Sequence, residues 1–277
     1  GGIPASSTVV QSPDLHLAPY LNRLAEEEPN ELVRVIVQMQ TPNTAAKEQT
    51  VQLGGKIIRE FSFINGFVAD LSARALHELG QRSDVRWISL DAPVYKMSEG
   101  CNGTGQVSDD FSKFAYDNNS GSQNWLNNWQ EIGESDGPQA GNVAITSFWG
   151  GALQGLRLQG ANVGVERQAS LANAEQAKLT IAYRRKDLTD NSYVTVAVST
   201  DQGNTWHELG KVSGPGTDTG ILYAHYDLSG YNSSMTTIRL SSSSQMGASS
   251  KFYIDYIALE YSPSDIIESS TNKVFLP

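Results

Sequence analysis

The spacing of apolar residues changes character along the chain. Up to about residue 97 it alternates between helical and strand periods. Tyr20, Leu21 and Leu24 form an apolar stripe after Pro19 and before Glu26-Glu27-Glu28, which predicts a helix ended by Pro29-Asn30. Val33 to Met39 is rich in β-branched residues and predicts a buried strand. Asn43 or Thr44 can cap a helix that Gly54-Gly55 stops. Lys56 to Phe63 predicts a strand with Ile57, Phe61 and Phe63 on one face. A turn is expected at Asn65-Gly66, and Phe67, Ala69 and Leu71 then alternate inward. Ser72 is placed to cap a second helix, with Ala75, Leu76 and Leu79 at helical spacing and Gly80 as its stop. Val85 to Leu90 closes a β-α-β-β-α-β order, the split βαβ or ferredoxin-like α+β arrangement.

Residues 109–262 read differently, as short strands separated by Gly, Asn and Ser turns. The clearest are Leu179–Arg184, Tyr193–Val198, Ile221–Tyr226, Thr237–Leu240 and Phe252–Tyr261. That spacing predicts an all-β sandwich. The expected organisation is an N-terminal extension (1–13), an α+β domain with a leading helix (14–97), a Gly/Ser linker (98–108), the sandwich (109–262) and a C-terminal tail strand (263–277).

The stretch VRVIVQM…VQLGGKIIREFSFINGFVADLSARALHELGQRSDVRWISLDAPV resembles the propeptides and inhibitors of subtilisin-like serine proteases. The cues are the VIVQM strand, the Gly54-Gly55 step, the Asn65-Gly66-Phe67 turn and the helix leading to Asp84-Val85 and Asp91. The resemblance implies a sheet that docks on a protease, with the segment Val94-Tyr95-Lys96-Met97 lying in its cleft. The second half is similar to jelly-roll modules appended to secreted bacterial proteases and adhesins. Asp110-Phe111, the VAVSTDQGNTW hairpin and the closing FYIDYIALEY strand carry that likeness.

Composition narrows the choices. The 277 residues carry a net charge of −10. Of 20 basic and 30 acidic residues, 9 and 12 precede Gly100, so 11 and 18 follow it. Both halves are acidic, and neither offers the basic face that nucleic acid requires. No apolar run approaches the ~20 residues of a membrane-spanning helix. Cys101 is the only cysteine, which leaves a linker residue or an intermolecular bridge. The small polar residues suit an extracellular or cell-surface protein, in which case an export signal has already been removed.

Candidate chemistry is sparse. The His-Gly-Thr and Gly-Thr-Ser-Met signatures of subtilisin-like enzymes are missing, and His16, His77, His207 and His225 are scattered, so no catalytic residues are assigned and the chain is expected not to be an enzyme. Ser199-x-Asp201-x-Gly203-x-Thr205-Trp206 matches a single Asp-box, a hairpin in which Asp201 takes backbone N–H bonds and Trp206 packs inward. Trp125 and Trp129 form a glycan platform or fill the core, and Trp87 and Trp149 are expected in the core. Asp109, Asp110 and Asp255 are either a structural Ca²⁺ site or ordinary turn and strand-end residues. No other cofactor is expected.

Two functions remain. One is a structural subunit of an extracellular fibre, sheath or layer. Its copies would join head to tail through the strand-prone ends, Val9 and Val10 at one and Val274, Phe275 and Leu276 at the other. The alternative is an inhibitor or chaperone-like partner of a subtilisin-like protease, with the sandwich as a targeting or glycan-binding module.

Overall fold

The computed structural model describes residues 15–42, 44–61, 63–92 and 105–263. The cleft segment 94–97, both terminal strand candidates, Cys101 and Asn102 lie outside the described residues. The chain forms two compact units. The first comprises residues 1–94, 147–154 and 218–221; the second comprises 95–146, 155–217 and 222–277.

In the first unit, α1 (Pro19–Glu27) is followed by β1 (Leu32–Met39), α2 (Ala45–Gln52), β2 (Lys56–Phe61), β3 (Gly66–Ser72), α3 (Ala73–Gly80) and β4 (Val85–Leu90). The strands form one sheet in the order β2-β3-β1-β4, with every pairing antiparallel. Strand β1 is buried on one face only: Val33, Val35, Val37 and Met39 point inward, while Arg34, Ile36 and Gln38 do not. Leu21 and Leu24 on α1 and Ala75, Leu76 and Leu79 on α3 are buried as well, and α3 packs against α1, β3 and β4. Ser72 caps α3 by accepting a hydrogen bond from the Ala75 N–H at 3.3 Å. Thr44 stands at the N-cap of α2, but its side chain makes no capping bond. Asn65 turns at φ 47°, and Gly66 next to it is required because a Cβ there would lie 2.8 Å from the Val37 carbonyl oxygen.

Two expectations fail in this unit. Strand β2 ends at Phe61, and Phe63 is 82% exposed rather than inward. As an edge strand with a bulge between Ile57 and Arg59, β2 has no second neighbour among the described residues to fix a buried face. Trp87, on the other edge strand, is 40% exposed and is no core residue.

The remaining strands, all but the end of β7 and the start of β8 within the second unit, are β5 (Gly105–Asp109), β6 (Gln130–Ile132), β7 (Val143–Phe148), β8 (Leu153–Gln159), β9 (Gly164–Ala169), β10 (Ala174–Lys186), β11 (Tyr193–Ser199), β12 (His207–Ser213), β13 (Leu222–Asp227), β14 (Thr236–Ser242) and β15 (Lys251–Pro263). One sheet runs β13-β10-β15-β8-β7 with β5 also paired to β15; the other runs β12-β11-β14-β9-β6. Inward residues of both sheets share one core. Val107, Leu179, Ile181, Ile257 and Leu259 come from the first sheet, and Val165, Val194, Val196, Val198, Ile238 and Leu240 from the second. This unit is a β-sandwich. Its first strand falls inside the segment expected to be a linker: β5 pairs with β15 from Gly105↔Tyr261 to Asp109↔Ile257, and Val107 and Asp109 are buried.

Candidate functional site

Two polar assemblies of the sandwich contrast, one closed and one open. The closed one begins with strand parity. Asp109 shares the inward face of β5 with Val107, and Arg167 stands between Val165 and Ala169 on the inward face of β9. The two strands belong to opposite sheets, so the charges meet inside the sandwich. Arg167 Nη1 lies 2.8 Å from Asp109 Oδ2, with both side chains at most 1% exposed. Asp109 also accepts from the Phe111 N–H (2.8 Å), Asn118 Nδ2 (2.9 Å) and Trp129 Nε1 (2.9 Å). Arg167 donates further to the carbonyls of Asn127 and Asn118. Its guanidinium lies over both Trp125 and Trp129, 5.1 and 5.6 Å from the ring centroids. Burial pushes the Asp109 carboxyl above its ordinary range against the pull of these donors. The same burial lowers Arg167 to about 10.

This arrangement bears on two alternatives left open by the sequence. Trp125 and Trp129 are only 6% and 2% exposed, so neither offers a face to a sugar. Asp109 and Asp110 are engaged as turn and strand-end residues, the other alternative for the Asp109, Asp110 and Asp255 trio. Four donors already fill the two oxygens of Asp109, and Asp110 Oδ1 caps its own turn through the Ser112 N–H and hydroxyl. Asp255 is buried on β15 at a register shift. Among the described residues no three His, Cys, Asp or Glu side chains gather as metal ligands. Asn118, an Asn-x-Ser position, is buried with its amide on Asp109 and Asp110.

The Asp-box forms a hairpin between β11 and β12. Asp201 Oδ1 accepts from the Thr205 N–H (2.8 Å) and the Ser199 hydroxyl (2.7 Å), and Oδ2 from the Thr205 hydroxyl (2.7 Å). Trp206 does not enter the core. It lies against Arg239, whose guanidinium is 3.6 Å from the ring centroid and which Glu166 holds at 2.9 and 2.5 Å. Arg239 alternates with the inward Ile238 and Leu240, which puts this stack on the outer face of the β12-β11-β14-β9-β6 sheet.

The open assembly is a groove of about 830 Å³ at one end of the other sheet, a size suited to a ligand. Its walls come from β5, β10, β13 and β15. Strand pairing sets Gln106 beside Glu260, Glu260 beside Lys178, and Lys178 beside Asp227. A second row sets Thr180 beside His225. Lys178 Nζ is 3.1 Å from Glu260 Oε2, and Thr180 Oγ1 is 3.1 Å from His225 Nδ1. Gln106 Nε2 donates to Glu260 Oε1 and to the Tyr256 hydroxyl. Burial raises Tyr226, Tyr256 and Tyr261, so their hydroxyls keep their protons at neutral pH. Gly105 lets the Tyr261 ring lie across the start of β5, where a Cβ would collide with it. Beyond His225 on β13, Tyr223 stacks on the imidazole (centroids 6.3 Å apart, planes 9° apart) and is 45% exposed.

Several polar atoms here have no partner among the described residues: Asp227 Oδ2, His225 Nε2 and the Gln176 amide. Lys178 Nζ uses one of its three N–H groups, on Glu260. Sequence inspection missed this site. The exposed positions of LYAHYD on β13 were a signal, but its partners lie about 30 to 120 residues away along the chain.

No family model matches the chain, and no curated protein does. Solved structures similar to it include carbohydrate-binding modules. One is the CBM22-1 xylan-binding domain of Paenibacillus barcinonensis Xyn10C, at 14% identity and TM-score 0.38, with 59% of this chain and 99% of that one covered. Another is TmCBM61, solved with β-1,4-galactotriose, at 10% identity and TM-score 0.35, covering 47% and 86%. A third is the module CBM36 in complex with calcium and xylotriose, at 14% identity and TM-score 0.30, covering 48% and 98%. At these identities and scores no function transfers, and the sandwich is defined by its own strand pairing.

Proposed function

We propose that this chain is an exported, non-enzymatic binding protein whose jelly-roll sandwich takes a carbohydrate chain in the groove of β5, β15, β10 and β13. One observation carries the reading: open hydrogen-bonding atoms on Asp227, His225, Lys178 and Gln176 line a groove beside the exposed Tyr223 ring. Sugars present hydroxyls at their edges and apolar C–H faces, so they need both kinds of group. Adjacent strands are about 4.8 Å apart and alternate outward residues nearly 7 Å apart, a grid on the scale of a sugar ring. The first unit, with its β2-β3-β1-β4 antiparallel order, is read as ferredoxin-like and as a propeptide-type scaffold.

The test is affinity electrophoresis of the full chain through soluble xylan, β-galactan and β-glucan. At least one polysaccharide should retard it, and Tyr223→Ala and Lys178→Ala should each lose most of that retardation. Free migration through all three, or retardation that neither variant changes, overturns the reading.

A second reading, the subunit of an extracellular assembly, is favoured by the edge strand β13, which pairs only with β10 among the described residues and can accept a strand from another chain. Truncations lacking residues 1–13 or 263–277 test it by light scattering. Assembly unchanged in both, or a full chain that stays monomeric, removes it. The protease-inhibitor reading would need the segment Val94–Met97 to reach a cleft, and inhibition by residues 30–97 released after Met97 would raise it above both.

A further inference from the structure

We propose that Asp227 and Glu260 make the groove selective for neutral glycans and exclude uronate-containing or sulfated ones. The inference rests on the carbohydrate reading above and adds the ligand's charge class.

The lining carries two carboxylates, Asp227 and Glu260, against one ammonium, Lys178. The two acids sit on strands flanking β10, at the positions paired with Lys178 from either side. Glu260 holds the ammonium at 3.1 Å, so the single positive charge facing a ligand is already partnered. Asp227 is left as an uncompensated anion. Its Oδ1 is fixed by the Ser229 hydroxyl (2.6 Å) and N–H (2.9 Å), which aims the carboxylate and keeps it ionised, since these bonds lower its pKa. A sugar hydroxyl approaching Asp227 Oδ2 can donate to it, whereas a carboxylate or sulfate cannot and is repelled. The net charge of −10 acts in the same direction at longer range. A site built for polyanions would have the opposite composition, with arginines and lysines in excess of acids. Here the only other cationic candidate on the groove wall is His225, whose Nδ1 is tied to Thr180.

The experiment uses the full chain at about pH 8, with affinity electrophoresis through neutral xylan, β-galactan and β-glucan beside polygalacturonate, alginate and heparin. It is run at about 50 mM and about 500 mM salt, where screening lengths differ severalfold. The wild type should be retarded by a neutral polysaccharide at both salt concentrations and by none of the acidic ones. The double variant Asp227→Asn, Glu260→Gln removes both negative charges and keeps the shapes. It should raise the ratio of acidic to neutral affinity by about tenfold or more, an advantage that high salt removes. Thermal melting checks that the variant is folded. Retardation of the wild type by an acidic polysaccharide, or an unchanged ratio in the folded double variant, overturns the selectivity and leaves the carbohydrate reading standing. Retardation by neither class overturns both.

Discussion

The buried Asp109–Arg167 assembly and the open groove are made from the same kinds of residue, yet one serves the fold and the other is suited to a ligand. Both combine acid, base, amide and aromatic side chains on paired strands. In the first, every oxygen of Asp109 has donors and Arg167 is held by two carbonyls and two indole rings. In the second, Asp227 Oδ2, His225 Nε2 and most of Lys178 remain open. The difference follows from strand parity. Inward polar residues must find partners or lose heavily to desolvation, while outward ones can leave capacity for something that arrives later. Two tryptophans beside an arginine therefore mark architecture here, and an exposed tyrosine beside unpartnered polar atoms is what the proposed binding groove would offer a ligand.

The largest expected effect tests the closed side. Asp109→Ala strands a buried guanidinium, and Arg167→Ala strands a buried carboxylate. Each should cost about 3–5 kcal/mol in chemical denaturation. Lys178→Ala and Glu260→Gln, on the open side, should stay within about 0.5 kcal/mol of wild type because their ion pair is half exposed. Equal losses on the two sides would erase the distinction. A smaller effect sharpens it: Trp129→Phe keeps most of the ring and removes the indole N–H from Asp109, which should cost about 1.5–3 kcal/mol. A loss near zero would mean that the other three donors are enough to hold the carboxylate.

How much of this was legible depends on how local the signal is. In the first unit, alternation in VRVIVQM, the Asn65-Gly66 turn and Ser72 ahead of Ala75 and Leu76 are each carried by a few consecutive residues, and the elements appear where those residues put them. Strand β5 was hidden because GQVSD follows a Gly/Ser/Thr-rich run, and only its pairing with β15, some 150 residues later, makes it a strand. Trp125 and Trp129 stood between a glycan platform and the core because sequence alone does not say which way a loop tryptophan faces. Asparagines fasten that loop: Asn127 Oδ1, within NWLNNW, takes the Gln168 N–H, and Asn119 Oδ1, upstream of that run, takes the Trp125 N–H, both at 2.8 Å. The inward parity of Arg167 between Val165 and Ala169 was visible as a pattern, though its partner on the opposite sheet was not. The groove combines four strands and needs the register of three pairings, which no local pattern encodes.

The smallest expected effect separates a polar cluster that supports a turn from one that awaits a ligand. Only Oδ1 of Asp227 is held by its own turn, whereas both oxygens of Asp201 are engaged within the hairpin. The Thr205 N–H and hydroxyl, with the Ser199 hydroxyl, lower its pKa from 3.8 to about 2. A carboxylate with a depressed folded-state pKa contributes stability that is present above its unfolded value, near 4, and is lost as pH falls through about 2. Amide hydrogen exchange at Thr205 reads this directly. Protection should be constant above about pH 4 relative to intrinsic exchange and should decline between about 4 and 2. Asp201→Asn keeps the shape but not the charge, so its protection should be lower and nearly flat over the same range, while the groove's polysaccharide binding stays unaltered. A wild-type carboxylate titrating near 4, or an Asn variant with the same pH profile, would show that the hairpin does not depend on the charge of Asp201 and would leave its match to the Asp-box a matter of sequence alone.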